Sequence, residues 1–270
     1  MYDLISEVLE KSIDEKLVFD DIECLSLYSK CRLIREMVGA LGEKLPQKKY
    51  GTGRHTRQSL LMIANTFNAS ENLLSYQKCK RGQFSHTIAQ PEYSRLLDVV
   101  RSWESSEDDE KQGALIEFSS LHRSIYMTGI ADNLPISYEF KDGAAATNHL
   151  KKTKLYGSFL GDLLGRSGKL SHYIREDDPA DLALSVVHHE TTHALQFYLA
   201  SAYHYKQIRP DHILYEDARM FHALEINKGF VNPRVLKASE YDSYESQVHE
   251  VLARSEGDEL SRIVVGLSFD

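Results

Sequence analysis

Apolar residues recur at helical spacing along most of the chain and switch to alternation only between about residues 134 and 174. Over residues 1–44, Leu4, Ile5, Val8 and Leu9, then Leu25, Leu27, Tyr28, Cys31, Leu33, Ile34 and Val38, form broad stripes that predict helices. Gly39, Gly42 and Pro46 supply stop signals. The basic, glycine-containing stretch 48–57 reads as a loop. Further helical patterns cover about 57–68, 70–79, 91–104 and 110–124, with the acidic run 104–110 as an exposed connector. Residues 134–140 (LPISYEF) alternate and end in the turn signal Lys141-Asp142-Gly143, which predicts a strand. Weaker alternation marks 155–160, and 169–174 (KLSHYI) makes a better strand. Asp178 before Pro179 is an N-cap residue followed by proline at the first helical position. The helix it opens extends to about residue 207, and two more follow at about 211–227 and 241–256. The pattern predicts a predominantly helical α+β protein, with a helical region over 1–125 and a strand-then-helix region over 126–270 that carries a small, edge-exposed sheet.

Composition narrows the function classes. The chain has 270 residues, 42% of them apolar and 27% charged, the profile of an ordinary globular protein with ample length for a core. Its 32 basic and 40 acidic residues give a net charge of −8, which argues against a surface built for nucleic acid or anionic lipid. The basic stretches 44–57 and 78–81 carry little interleaved aromatic character and read as solvated surface. No apolar run approaches the roughly 20 residues that cross a bilayer, so no membrane span is expected. The first 17 residues carry acids throughout and lack a signal-peptide pattern. Three cysteines, Cys24, Cys31 and Cys79, form no disulfide framework and no CxxC pair. A reducing compartment, the cytoplasm, is therefore expected, with export by a non-classical route as the other option. Twelve histidines are the unusual number.

Two of those histidines stand in His189-Glu190-Thr191-Thr192-His193, an H-E-x-x-H sequence inside the helix that opens at Pro179. At about 3.6 residues per turn, positions 189 and 193 are neighbours on one face, where two imidazoles can grip one ion. Glu190 lies about 100° around the helix from His189, beside such an ion rather than on it, and can take a proton from the water it activates. Leu182, Val186, His189, His193, Phe197 and Ala200 follow one stripe, which predicts that the histidines face the interior; His188 points elsewhere. The chain's own His and Glu frequencies give roughly a one-in-twenty-five chance of the motif arising by accident, so its capped helical setting matters.

A catalytic zinc needs a third protein ligand and an open position. Gln196 and Leu199 occupy the places where the metzincin pattern requires Gly and His, so that class is excluded. A later helix offers Glu245, His249 and Glu250, and the Glu216-Asp217 pair is a further source. With Glu250 and Ala253 as E-x-x-A, and with Tyr244, Gln247 and the His189–Gln196 run H-E-x-x-H-A-x-Q, the chain resembles the gluzincin group of zinc metallopeptidases, notably its compact bacterial and phage members. The resemblance spans about residues 134–256 and does not reach the N-terminal half. Val248-His249 before Glu250 departs from the N-E-x-x-S-D pattern of the thermolysin-like members.

The resemblance implies a zincin-like catalytic domain over 126–270 and one Zn²⁺ per chain on His189, His193 and Glu250. It also implies a protein or peptide substrate, with Glu190 as general base. Tyr244 is the expected oxyanion donor, with Tyr241, His249 and Arg254 as alternatives on or near the same helix. The strand at 169–174 would offer an edge for substrate pairing. The helices over 1–125 would then restrict access, select substrate or serve docking, as in metallopeptidase effectors and toxins. Two other readings stand beside this one. One is a non-catalytic metal-binding interaction protein; the other is a DNA-associated protease whose third ligand is His204, His212 or His222.

Overall fold

The computed structural model describes residues 68–130, 137–141, 146–147, 152–156, 179–226 and 247–269. The helical reading over 1–44, all but the last residue of that over 57–68, and the strand at 169–174 lie outside these residues, as do Asp178, Tyr241, Tyr244 and Glu245.

Among the described residues, six α-helices build the body. Helix α1 (Glu71–Ile88) starts where the Ser70 hydroxyl accepts from the Leu73 amide at 3.0 Å, satisfying one of the unpaired donors of the first turn. A 3₁₀ turn at Pro91–Tyr93 leads into α2 (Ser94–Arg101), which buries Leu96, Val99 and Val100. The acidic connector ends as a start signal: Glu107 and Glu110 form a capping box that opens α3 (Asp108–Met127). Then follow α4 (Pro179–His204), α5 (Tyr215–Ile226) and α6 (Val248–Phe269).

Helix α4 is the axis of the body, with α3, α5 and α6 packed around it. Its 26 residues make it about 39 Å long. A helix covered on several sides buries more than one face, and Ala183, Leu184, Val187, His188, Leu195, Leu199 and Ala202 are all withdrawn from solvent. The apolar ones join Phe84, Phe118 and Tyr126 from the N-terminal helices, Phe221 of α5 and Leu260 of α6 in one core cluster. Residues before and after position 125 therefore share a core, and the position itself falls within α3.

The fold class is not the expected one. The packed body of the described residues is all-α rather than α+β around a sheet. Three short segments, Ser137–Lys141, Ala146–Thr147 and Lys152–Tyr156, pair through their backbones in the order first, third, second. The described core, however, is drawn from helices and their connecting turns. Alternation over a handful of residues reports local extension; it does not report whether a sheet supplies a layer of the core.

Two helices outrun their sequence signals. Helix α1 continues past residue 79 to Ile88, because Phe84 and Ile88 return to the buried face after the basic run. Helix α6 continues past residue 256 through Gly257 to Phe269, although glycine costs about 1 kcal/mol in a helix interior. Packing explains the exception. A Cβ on Gly257 would stand 2.5 Å from the Ser185 carbonyl oxygen and 3.3 Å from the His189 Cβ. With Ala253 fully buried one turn earlier, α6 presents a smooth strip against α4, and that close approach brings Glu250 to the histidines.

Candidate metal centre

His189 and His193 lie one turn apart on α4, and their Nε2 atoms are 3.0 Å apart. Glu250, in the first turn of α6, sets its Oε2 at 3.4 Å from His189 Nε2 and 3.6 Å from His193 Nε2. All three donors fall within 4.8 Å of one another, the single such group of three or more among the described residues. An ion held at about 2.0–2.2 Å by tetrahedral ligands separates its donors by roughly 3.3–3.6 Å, so the cluster is close to the dimensions of one metal site. The His189 and His193 side chains stay 21% and 12% exposed, which leaves a side open to water. The expected burial of the histidine stripe is therefore only partial; the innermost face of α4 is the one carrying His188.

Electrostatics follow from the geometry. Burial alone would push the Glu250 carboxyl up, but hydrogen bonds from His189, His193 and His249 outweigh it and hold the group well below the usual carboxylate range. Burial pulls His193 down, yet the Glu250 carboxylate and the nearby charge of Glu190 raise it to about 9. A cation taken by His193 Nε2 would compete with the proton that Glu250 favours on that ring.

Gln196 organises the centre from behind. Its amide nitrogen donates to the His249 carbonyl at 2.9 Å, which turns its Oε1 toward His193 Nδ1, also at 2.9 Å. Because Oε1 only accepts, Nδ1 must donate, and Nε2 is left facing the ion position. Gln196 is itself buried, at 6% exposure, and ties α4 to the turn of α6 that carries Glu250. Its position three residues after His193 was the available sequence signal, since i,i+3 side chains meet on a helix.

His249 and Glu250 are not interchangeable. His249 Nε2 stands 3.4 Å from Glu250 Oε1, the oxygen opposite the one facing His189 and His193. It grips the far side of the carboxylate. Asp217 is engaged elsewhere, accepting from the Ser70 hydroxyl at 2.6 Å, and Glu216 lies 3.7 Å from Arg219. Arg254 lines a separate groove of about 310 Å³ on α6 with Val251, Asp258 and Arg262. His204 and His222 pair with each other at 3.1 Å rather than joining the centre. His188 is wholly buried and packs against His122, with their Nδ1 atoms 3.2 Å apart and the Phe84 ring at its edge.

A second buried carboxylate sits further along α6. Glu256 accepts from the Tyr126 hydroxyl and lies 3.8 Å from Arg81 Nε. Burial pushes its carboxyl up to about 7 despite both partners. Gly257 and Glu256 carried no sequence signal of their own, because each depends on what α4 and α3 place opposite.

No helix among the described residues is long and apolar enough to cross a membrane. Compared with protein-family models, curated proteins and solved structures, the chain matches none.

Proposed function

We propose that the chain is a metal-dependent hydrolase, zinc its expected ion, that cleaves a peptide bond in a protein or peptide substrate. The observation that carries this reading is the convergence of His189, His193 and Glu250 on one point beside Glu190. Two imidazoles and one carboxylate suit zinc at a catalytic centre, with the remaining position open. A bound ion supplies Lewis acidity and lowers the pKa of water in its open position to about 7. Glu190, next along the helix from His189, takes the proton of the attacking water and returns it to the leaving amine. Gln196 fixes the His193 tautomer, and His249 holds the outer oxygen of Glu250. Tyr244, three residues before Gln247, is the proposed donor to the developing oxyanion. The peptide bond as target rests on the resemblance of H-E-x-x-H and E-x-x-A to the gluzincins; the all-α body takes the place of their expected sheet.

The general base separates this reading from a structural metal site. Glu190→Gln should bind zinc as the wild type does while losing about 10²–10⁴-fold in hydrolysis of a quenched-fluorescence peptide library. Full activity in that variant would refute the mechanism.

A further inference from the structure

We propose that His204 and His222 form a second metal-binding site, selective for imidazole-seeking divalent ions such as Zn²⁺, Ni²⁺ or Cu²⁺, that joins the end of α4 to α5. His204 Nδ1 and His222 Nε2 are 3.1 Å apart, close to the 3.0 Å between the paired nitrogens of the first centre. The ring centroids stand 5.2 Å apart with the planes inclined by 33°. Two imidazoles on one tetrahedral ion at about 2.0–2.1 Å place their nitrogens roughly 3.3 Å and their centroids about 5 Å apart, so little rearrangement is needed.

The surroundings hold the rings for this task. Tyr205 meets His204 edge-on at 4.8 Å, and Tyr203 lies against His222 at 5.2 Å. Helix α4 ends here in a turn where Lys206 takes a φ of 56° and the Gln207 amide returns to the Ala202 carbonyl at 2.8 Å. His204 therefore occupies the last helical turn, where the helix dipole favours a cation. His222 is buried while His204 is exposed, so an ion arrives from solvent and reaches inward to α5. Imidazole nitrogen selects late first-row ions over Ca²⁺ and Mg²⁺, which seek oxygen. The site is distinct from the first, since eleven residues of helix separate His193 from His204, about 16 Å.

The test is a Zn²⁺ titration of the metal-free full chain, read by calorimetry and by thermal melting. Wild type should take up two ions, the second more weakly than the first. His204→Ala, which removes an exposed side chain and leaves the core intact, should take up one. His193→Ala should keep the His204-dependent ion and the rise in melting temperature that accompanies it. The proposal is overturned if His204→Ala binds as many ions as wild type, or if zinc saturates at one ion per chain that only His193→Ala removes. Failure of the first centre reads differently: a single ion lost on changing His204 and indifferent to His193.

Discussion

Gly257→Ala puts the geometry of the metal centre under direct stress, because two effects of the same methyl group have opposite signs. Helix propensity alone favours alanine by about 1 kcal/mol at an interior position. The crossing with α4 opposes it. The added Cβ would lie 2.5 Å from the Ser185 carbonyl oxygen, whereas ordinary contact begins near 3.4 Å, so the helices must part by 0.9 Å (3.4 − 2.5) or twist. The obstacle is backbone, which cannot swing aside. Overpacking of this kind costs typically about 1–3 kcal/mol, enough to cancel the propensity gain and reverse it. At the centre, the same 0.9 Å added to the 3.4 and 3.6 Å separations of Glu250 from the histidines gives 4.3 and 4.5 Å. Two donors on one ion at about 2.1 Å can stand no more than about 4.2 Å apart even in line, so a full displacement breaks the three-point grip. The expected result is a lower melting temperature and a zinc affinity reduced at least 10-fold, measured by competition with a chromophoric chelator. Ala253→Gly is the control. It loosens the same strip without a clash and should cost stability with little change in affinity. A Gly257→Ala protein that melts higher than wild type and binds zinc equally well would refute the proposed role of the close helix crossing.

Three further outcomes follow. Gln196→Ala should weaken zinc binding about 10–100-fold, the usual effect of losing a group that orients a ligating histidine, and Gln196→Glu should restore most of it because it still accepts from Nδ1; equal affinity in both variants would remove Gln196 from the centre. Glu256, raised in the fold from an ordinary carboxyl to about 7, binds its proton more tightly folded than unfolded, so its contribution to stability is complete below about pH 4.5 and is lost as pH rises through 7. That contribution is at most about 3 kcal/mol, and Glu256→Gln should flatten the slope of denaturant stability between pH 5 and 8; an unchanged slope would assign it to other groups. Glu250→Ala should sharply weaken zinc binding, whereas unchanged affinity would shift the third ligand to another group.

The candidate centre was more legible in the sequence than the fold around it. His189, Glu190 and His193 lie within five consecutive residues of one helix, and helical spacing alone puts the two rings together. The Pro179 start and the extent of α4 could be read for the same reason: proline and periodicity are local signals. Glu250 lies on another helix, and its choice over His249 rests on the resemblance of Glu250 and Ala253 to the gluzincin E-x-x-A pattern rather than on helical spacing. The architecture was harder, because alternation at 134–140 cannot tell a core sheet from a short backbone pairing beside a helical body. The helical pattern ends at about residue 256, and nothing local shows that the Ser185 carbonyl stands opposite Gly257. The buried His122–His188 pair and the Tyr126–Glu256–Arg81 group unite α1, α3, α4 and α6 from distant parts of the chain, and no periodicity within one helix announces a partner on another.

Whether His189, His193 and Glu250 hold a metal ion is decided by elemental mass spectrometry of the purified chain beside His193→Ala and His204→Ala. Zinc is expected in the wild type and in His204→Ala at no less than one ion per chain, with the tightly held ion missing from His193→Ala. A wild-type protein that stays metal-free after incubation with zinc, or a His193→Ala protein that retains the tight ion, would contradict that expectation.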